Sequence, residues 1–215
     1  MKNFVRYLLL VLPAISMLAP GTANSETLLQ AVRKKNPARV EVLLREQADP
    51  NYRDDYGKTA LMVAAEKADL RSLKALLASK GAVDLKGNNQ WTALMLATYN
   101  GHTQVVRALL DAGADTSLRN DIGAPPLMIA KFRGHEDIVR MLLRKNADVN
   151  ARKSDNGTAL IWAAHGGHRN IVSLLLAAGA DINAQNDNGK TALSMARTRG
   201  HREIEKLLLD AGAGS

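Results

Sequence analysis

The chain has no cysteine and few aromatic residues. Cys is absent from all 215 residues, and Phe, Trp and Tyr together make up 4% of them. The absence of cysteine excludes disulfide bonds and thiol nucleophiles, so the hydrophobic core alone has to stabilise the fold. Because aromatic residues are scarce, that core has to be built mostly from Leu, Ala, Val and Ile.

Long apolar runs are also missing, apart from a short one near the start. Lys2 and Arg6 precede this run, and small residues at 21–23 follow it. This order is typical of a secretory signal peptide, and the run is shorter than the roughly 20 residues that a membrane span needs. We therefore expect residues 1–23 to be a cleaved signal peptide of bacterial type. Residues 24–215 would then act in the periplasm without stable membrane insertion; a retained N-terminal helix that tethers the chain is the alternative.

Sequence motifs of catalysis are missing as well. The chain contains neither G-x-S-x-G nor H-E-x-x-H, and it has no glycine-rich phosphate-binding loop. His165 and His168 form an H-x-x-H pair, but no carboxylate or thiolate completes a set of metal ligands. Neighbouring carboxylates such as Asp54 and Asp55 are expected in exposed turns. We predict that the protein is not an enzyme and has no catalytic residues, no metal site and no cofactor.

What the sequence has instead is a repeat of 33 residues. Leucine occupies one position of the repeat, alanine a second, the pair Gly-His a third and threonine a fourth. The leucines are Leu61, Leu94, Leu127, Leu160 and Leu193, the alanines are Ala64, Ala97, Ala130, Ala163 and Ala196, the Gly-His pairs begin at Gly101, Gly134, Gly167 and Gly200, and the threonines are Thr59, Thr92, Thr158 and Thr191, with Pro125 in the remaining unit. Agreement without drift indicates a solenoid in which each unit buries its apolar face against its neighbours.

Each unit has the pattern of two short helices. Thr59 can cap the first helix, in which Leu61 and Ala64 lie on one face. Gly101 suits the end of a first helix, where a positive φ is required. A second apolar stripe that includes Leu109 follows, and a polar, turn-rich segment leads to the next unit.

Stretches such as GHTQVVRALLDAGAD, DDYGKTALMVAA and GHRNIVSLLLAAGADINAQ resemble the ankyrin repeat family. The resemblance covers essentially all of residues 24–215 and implies an all-α solenoid of about six helix-turn-helix units joined by β-hairpin-like loops. We assign an N-terminal cap repeat to residues 24–53, four central repeats to 54–186 and a C-terminal cap repeat to 187–215. In this family the histidine of the Gly-His pair is structural, so the resemblance implies that His102 and its equivalents belong to the scaffold.

Several positions depart from the family pattern. One-residue shifts at Asp84 and Gly157 leave the register of the loops after residues 80 and 153 open. Trp162 stands where other units have an aliphatic residue, and we expect it in the core. Three methionines occupy the position at which the family usually has His, and we expect them to be half-buried packing residues. These methionines are Met62, Met95 and Met128.

The resemblance also implies where a partner would bind. In ankyrin repeat proteins, the tips of the loops and the exposed ends of the first helices form a concave surface. In this chain the concave surface corresponds to residues 53, 55, 56, 58, 66 and 67 and their equivalents in the following units. Aromatic residues, which dominate many protein interfaces, are enriched there, and a basic row runs beside them. The basic row consists of Arg53, Lys86, Arg119 and Arg152. We predict that the partner-binding residues are Tyr56, Trp91, Tyr99, Arg119, Ile122, Phe132, Arg133, Arg152 and His165.

These observations together favour a monomeric, non-catalytic module that binds another protein. The formal net charge is +8 for the whole chain and +6 without Lys2 and Arg6 of the signal peptide, and this +6 charge and the basic row favour a partner with an acidic contact surface. The resemblance to exported bacterial ankyrin proteins suggests an inhibitor, immunity or protective factor for an envelope enzyme. The alternative is an oxidative-stress or metal-linked protein that protects the envelope. We expect no nucleic-acid partner, because the protein is exported and acidic residues are interspersed with the basic ones.

Overall fold

The fold is a series of helix pairs. The computed structural model describes residues 26–132 and 135–214, except for the side chains of residues 131 and 132. Within these ranges the chain forms twelve α-helices and no β-strand. The helices are α1 (Leu28–Arg33), α2 (Pro37–Arg45), α3 (Ala60–Glu66), α4 (Leu70–Ala78), α5 (Ala93–Asn100), α6 (Thr103–Asp111), α7 (Pro126–Phe132), α8 (Glu136–Arg144), α9 (Ala159–His165), α10 (Arg169–Ala177), α11 (Ala192–Arg199) and α12 (Arg202–Asp210).

The described helices are all short. None of them is long and apolar enough to cross a membrane. The signal peptide that the sequence predicts for residues 1–23 lies outside the described part of the chain. Two consecutive helices make one unit, and we call the helices of each pair the first and the second helix.

Most first helices begin at a threonine, as the repeat predicts. The hydroxyl of Thr59 accepts a hydrogen bond from the backbone N–H of Met62, and Thr92, Thr158 and Thr191 cap their helices in the same way. Each cap pairs one of the N–H groups that have no partner inside the helix. The side chain of Asn36 likewise caps α2.

The core runs from unit to unit through the two repeated apolar positions. The five repeated leucines are at most 2% exposed, and the five repeated alanines are fully buried. Each first helix contacts the next first helix, and each second helix contacts the next second helix. The small alanine side chain allows this close approach. In α12, the last described helix, Leu209 is 42% exposed.

The three repeated methionines are core residues. Met62, Met95 and Met128 are at most 1% exposed. The expectation that they are only half-buried is therefore wrong. An unbranched, adaptable side chain at this position fills the space between neighbouring units.

Three positions of the repeat require the left-handed backbone conformation. Glycine occupies one copy of each position as Gly101 (φ 74°), Gly113 (φ 84°) and Gly123 (φ 73°). Elsewhere residues with side chains take the same positive φ at these positions. They are Lys35, Gln47, Ala68, Lys80, Gln90, Asn146 and Asn156. Lys80 replaces Gly113 and Asn156 replaces Gly123, so neither one-residue shift in the sequence changes the register of the loops.

The loops between units are tight turns rather than strand pairs. They are nevertheless joined to one another by one backbone hydrogen bond per unit, which links residues in equivalent loops. These bonds run from Asn88 N to Tyr56 O (3.3 Å), from Asp121 N to Asn89 O (3.4 Å), from Ser154 N to Ile122 O (3.3 Å) and from Asp187 N to Asp155 O (3.0 Å). The loop tips therefore form an aligned edge, along which equivalent positions of the concave surface follow one another.

Candidate functional site

The two sets of residues that define the concave surface are neighbours in space. In two units, the residue before the capping threonine contacts a residue at the end of the same first helix. In the second unit this contact is an ion pair, with Lys58 Nζ 2.7 Å from Glu66 Oε2. In the third unit it is an aromatic pair, in which the rings of Trp91 and Tyr99 meet edge to face at 5.7 Å. Equivalent positions of the repeat are thus charged in one unit and aromatic in the next.

Three predicted partner-binding residues expose large apolar side chains. Tyr56 is 75% exposed, Ile122 50% and Tyr99 40%. Trp91 is half-buried, because it packs against the core as well as against Tyr99. These exposed side chains belong to three successive units, at positions that the resemblance assigns to the concave surface. The side chain of Phe132 and the whole of Arg133 lie outside the described residues, so their predicted place in this group stays a prediction.

The basic row has a role that the sequence analysis missed. Each of its side chains donates a hydrogen bond to the backbone carbonyl of the equivalent residue in the next unit. The bonds run from Arg53 Nη1 to Lys86 O (2.5 Å), from Lys86 Nζ to Arg119 O (3.1 Å), from Arg119 Nη1 to Arg152 O, and from Arg152 Nη1 to Gln185 O (2.9 Å). A hydrogen bond from a charged donor is stronger than one between neutral groups, so this row holds consecutive loops together. The signal in the sequence is the period of the cations, which equals the distance between units.

Two histidines of the Gly-His pairs, His102 and His201, contact the backbone, as the resemblance implies. His102 Nε2 lies 3.0 Å from the carbonyl oxygen of Glu66, and His201 Nε2 lies 3.1 Å from that of His165. In each case the imidazole closes the end of the preceding unit's first helix. Among the described residues, no three His, Asp or Glu side chains are arranged to hold a metal ion.

A second group of side chains at the predicted surface, from the fifth and sixth units, contact one another. Arg199 Nε donates a hydrogen bond of 2.8 Å to His165 Nε2. The imidazole of His165 meets the indole of Trp162 edge to face at 5.6 Å, and Lys153 Nζ lies 4.7 Å from the centre of that indole. We call Trp162, His165 and Arg199 the C-terminal cluster. Of its three members, the sequence analysis predicted only His165 as a partner-binding residue, although Arg199 stands at the same repeat position as Arg133.

Trp162 is not a core residue, contrary to the expectation from its repeat position. It is half-buried, and a Cβ added to Gly157 would collide with its Nε1. The indole therefore lies over Gly157, at the position that carries Lys58 in the second unit. This contact explains the shifted glycine of the fifth unit: Gly157 provides room for Trp162, while Asn156 adopts the positive φ of the turn.

Asp155 forms an ion pair with Lys153, the residue whose ammonium group lies over the indole of Trp162. Its carboxylate lies 2.6 Å from Lys153 Nζ. Burial alone would raise the pKa of Asp155, but hydrogen bonds from Lys153 and from the Gly157 N–H outweigh it and hold the pKa below its ordinary value. Asp155 therefore remains ionised and neutralises Lys153, whereas no carboxylate in the described part of the chain forms an ion pair with Arg199.

The comparison with protein families is consistent with this architecture. The family model described as ankyrin repeats (3 copies) matches the chain over residues 28–120, 68–153 and 127–214. These overlapping matches cover nearly all of the described residues. No curated protein matches the chain significantly.

Proposed function

Because this chain belongs to the ankyrin repeat family, whose repeats serve as protein-protein interaction modules, we propose that it binds one partner protein through its concave surface. The observation that carries the proposal is the group of exposed apolar side chains on a frame that is otherwise repeated. Tyr56, Tyr99 and Ile122 are exposed at that surface, although burial would favour each of them. Exposed apolar residues that are grouped and surrounded by polar ones are typical of contact sites.

We propose that the partner is acidic at its contact surface. Without Lys2 and Arg6 of the predicted signal peptide, the formal net charge falls from +8 to +6, and the basic row runs along the same surface as the apolar group. The row uses only part of its hydrogen-bonding capacity within the protein, since an arginine has five N–H donors. The remaining positive potential would speed the approach of an acidic partner.

We further propose that the protein works in the periplasm, as an inhibitor, immunity or protective factor for an envelope enzyme. The charged, apolar and small residues at the start of the chain support export. N-terminal sequencing of the protein from a periplasmic fraction tests this point, and we expect the first residue to be Asn24. A chain that is recovered from the cytoplasm with residues 1–23 intact would contradict it.

Affinity capture tests the binding surface. The bait is the chain from residue 24 onward, incubated with periplasmic extract of the source cells. The triple variant Tyr56→Ala/Tyr99→Ala/Ile122→Ala removes the exposed apolar group and leaves the buried frame unchanged. The control variant Tyr52→Ala/Leu209→Ala removes side chains that are similarly exposed, 60% and 42%, but lie outside the concave surface. We expect the control to recover the same partner as the unmodified chain and the triple variant to lose it. Equal recovery by both variants would show that the concave surface is not the binding site.

A further inference from the structure

The C-terminal end of the concave surface holds an arginine whose orientation is fixed. His165 and Arg199 are the last residues of α9 and α11, and these two first helices pack side by side. Arg199 is exposed, and its Nε–H points at the imidazole of His165 at 2.8 Å. The imidazole of His165 also contacts the indole of Trp162 edge to face, with ring centroids 5.6 Å apart. The three side chains form a row in which each one restrains the next.

The hydrogen bond between Arg199 and His165 has a defined direction. A guanidinium group is always protonated and can only donate, so His165 Nε2 has to be the acceptor. The imidazole is therefore neutral and carries its proton on Nδ1. A charged imidazole would have no lone pair to offer and would repel the guanidinium.

This arrangement occupies Nε of Arg199, and within residues 26–132 and 135–214 no hydrogen bond occupies its two terminal nitrogens, so they can bind another ligand. Among the described residues, no carboxylate forms an ion pair with Arg199, whereas the nearby Arg197 binds Glu205 Oε1 at 2.8 Å. Nη1 and Nη2 lie on one edge of a planar group and match the spacing of the two oxygens of a carboxylate. A guanidinium that is already oriented loses less conformational freedom on binding than a free one.

Building on the proposed function, we infer that Arg199 binds a Glu or Asp side chain of the partner protein through its Nη1/Nη2 edge. Arg199 is the carboxylate-binding residue, and His165 is a positioning residue that acts through Arg199. The acidic character of the partner thereby acquires a specific point of recognition, two units away from Ile122. Trp162 supports this site by packing against the imidazole rather than by touching the partner's carboxylate.

A titration with a model peptide tests the inference without the natural partner. The probe is acetyl-(Ala-Glu)4-amide, and acetyl-(Ala-Gln)4-amide is the neutral control; both have blocked ends, so only side chains differ. The side-chain N–H signals of Arg199 in the 15N-labelled chain are followed by NMR at low salt. We expect the acidic peptide to shift them in a saturable manner and the neutral peptide to leave them in place. Equal shifts with both peptides would overturn the inference.

Matched arginine variants separate specific binding from general charge. Arg199→Gln and Arg144→Gln each remove one exposed positive charge, but Arg144 ends α8, a second helix, outside the C-terminal cluster. We expect Arg199→Gln to weaken binding of the acidic peptide about three- to tenfold, the usual range for a charge-assisted pair that is partly screened by water. We expect Arg144→Gln to change binding by much less. If the two variants weaken binding equally, the attraction is nonspecific and the inference is wrong.

Two variants of His165 test its positioning role. Gln can accept a hydrogen bond from Arg199 Nε, whereas Leu cannot. We expect His165→Gln to retain most of the affinity for the acidic peptide and His165→Leu to lose as much as Arg199→Gln does. If both variants bind like the unmodified chain, His165 does not position Arg199. Loss of partner capture in the Tyr56/Tyr99/Ile122 triple variant, together with unchanged capture by Arg199→Gln, would reject this inference and leave the proposed function standing.

Discussion

The basic row and the C-terminal cluster are both cationic parts of the concave surface, yet they use their charge differently. Each cation of the row donates to the backbone of the next unit, as Arg53 does to Lys86 O at 2.5 Å. In the cluster, Arg199 donates to a neutral side chain and keeps its terminal nitrogens. The row recurs with the period of the repeat, whereas the cluster occurs once among the described units. Residues that recur with the period join units to one another, and residues that change from unit to unit give the surface its individual chemistry.

The largest expected loss of stability comes from a substitution at a buried position that recurs in every unit. Leu94 recurs in the repeat and is 1% exposed, so Leu94→Ala leaves a cavity between neighbouring units. We expect it to lower the free energy of unfolding by about 2–5 kcal/mol. Ile122→Ala removes an exposed, changing residue and should lower it by about 0.5 kcal/mol or less. Urea unfolding followed by circular dichroism measures both, and similar losses would contradict the distinction.

The second prediction concerns the glycine that precedes His102. Gly101 has φ 74°, and an added Cβ would collide with the imidazole of His135 in the next unit. Gly101→Ala therefore combines backbone strain with a displaced imidazole, and we expect a loss of more than about 2 kcal/mol. Gly113 has φ 84°, but an added Cβ meets no atom within 4 Å, so Gly113→Ala should lose only about 1 kcal/mol. Equal losses in urea unfolding would mean that the contact with His135 is unimportant.

The third prediction tests whether the basic row joins consecutive units. Arg119→Met keeps the apolar stem and removes the hydrogen bonds to Gly123 O and Arg152 O. We expect a loss of about 1 kcal/mol in the free energy of unfolding, because Arg119 is exposed and water weakens its charged hydrogen bonds. Arg144→Met removes an equal charge at the end of a second helix and should lower stability by less. If thermal and urea unfolding cannot distinguish the two variants, the basic row does not join the units.

The smallest predicted effect is a gain in stability. Ala68 stands at the repeat position of Gly101 and has a φ of 57°. Ala68→Gly relieves the steric strain of this conformation, and we expect a gain of about 0.5–1 kcal/mol. The control is Ala112→Gly, because Ala112 has an ordinary φ of −80°. Glycine should lower stability there, since it adds freedom to the unfolded chain. A loss of stability with Ala68→Gly would show that its backbone is not strained.

The sequence predicted the recurring structural residues of the units more completely than it predicted the contacts at the concave surface. The threonine caps, the buried leucines and alanines, and the backbone contact of His102 are confirmed. These features depend on neighbours along the chain or on an identical neighbour in the next unit, so one unit predicts the others. Trp162 was assigned to the core because other units have an aliphatic residue there. Its burial depends on Gly157, and no rule of the repeat connects these two residues.

The basic row shows why chemistry that depends on neighbouring units is harder to predict. Arg119 and Arg152 were singled out as exposed cations, which they are, but the acceptor of each one is a backbone carbonyl. Every residue has a backbone carbonyl, so the sequence does not show which of them accepts a hydrogen bond. The acceptor of Arg199 is a related case: the repeat position separates His165 from the Gly-His histidines, but nothing in the sequence shows that its imidazole accepts a hydrogen bond from Arg199.

The sequence by itself determined the units of this protein: their length, their two helices, their caps and their buried residues. It could do so because these properties follow from local hydrogen bonding and from apolar burial repeated at a fixed spacing. The tertiary structure alone decided which side chains meet across neighbouring units. That decision includes the bonds of the basic row, the contact of Trp162 with Gly157 and the hydrogen bond between Arg199 and His165. The physical reason is that such contacts depend on the direction of individual bonds between stacked units, which the spacing of residues along the chain does not specify.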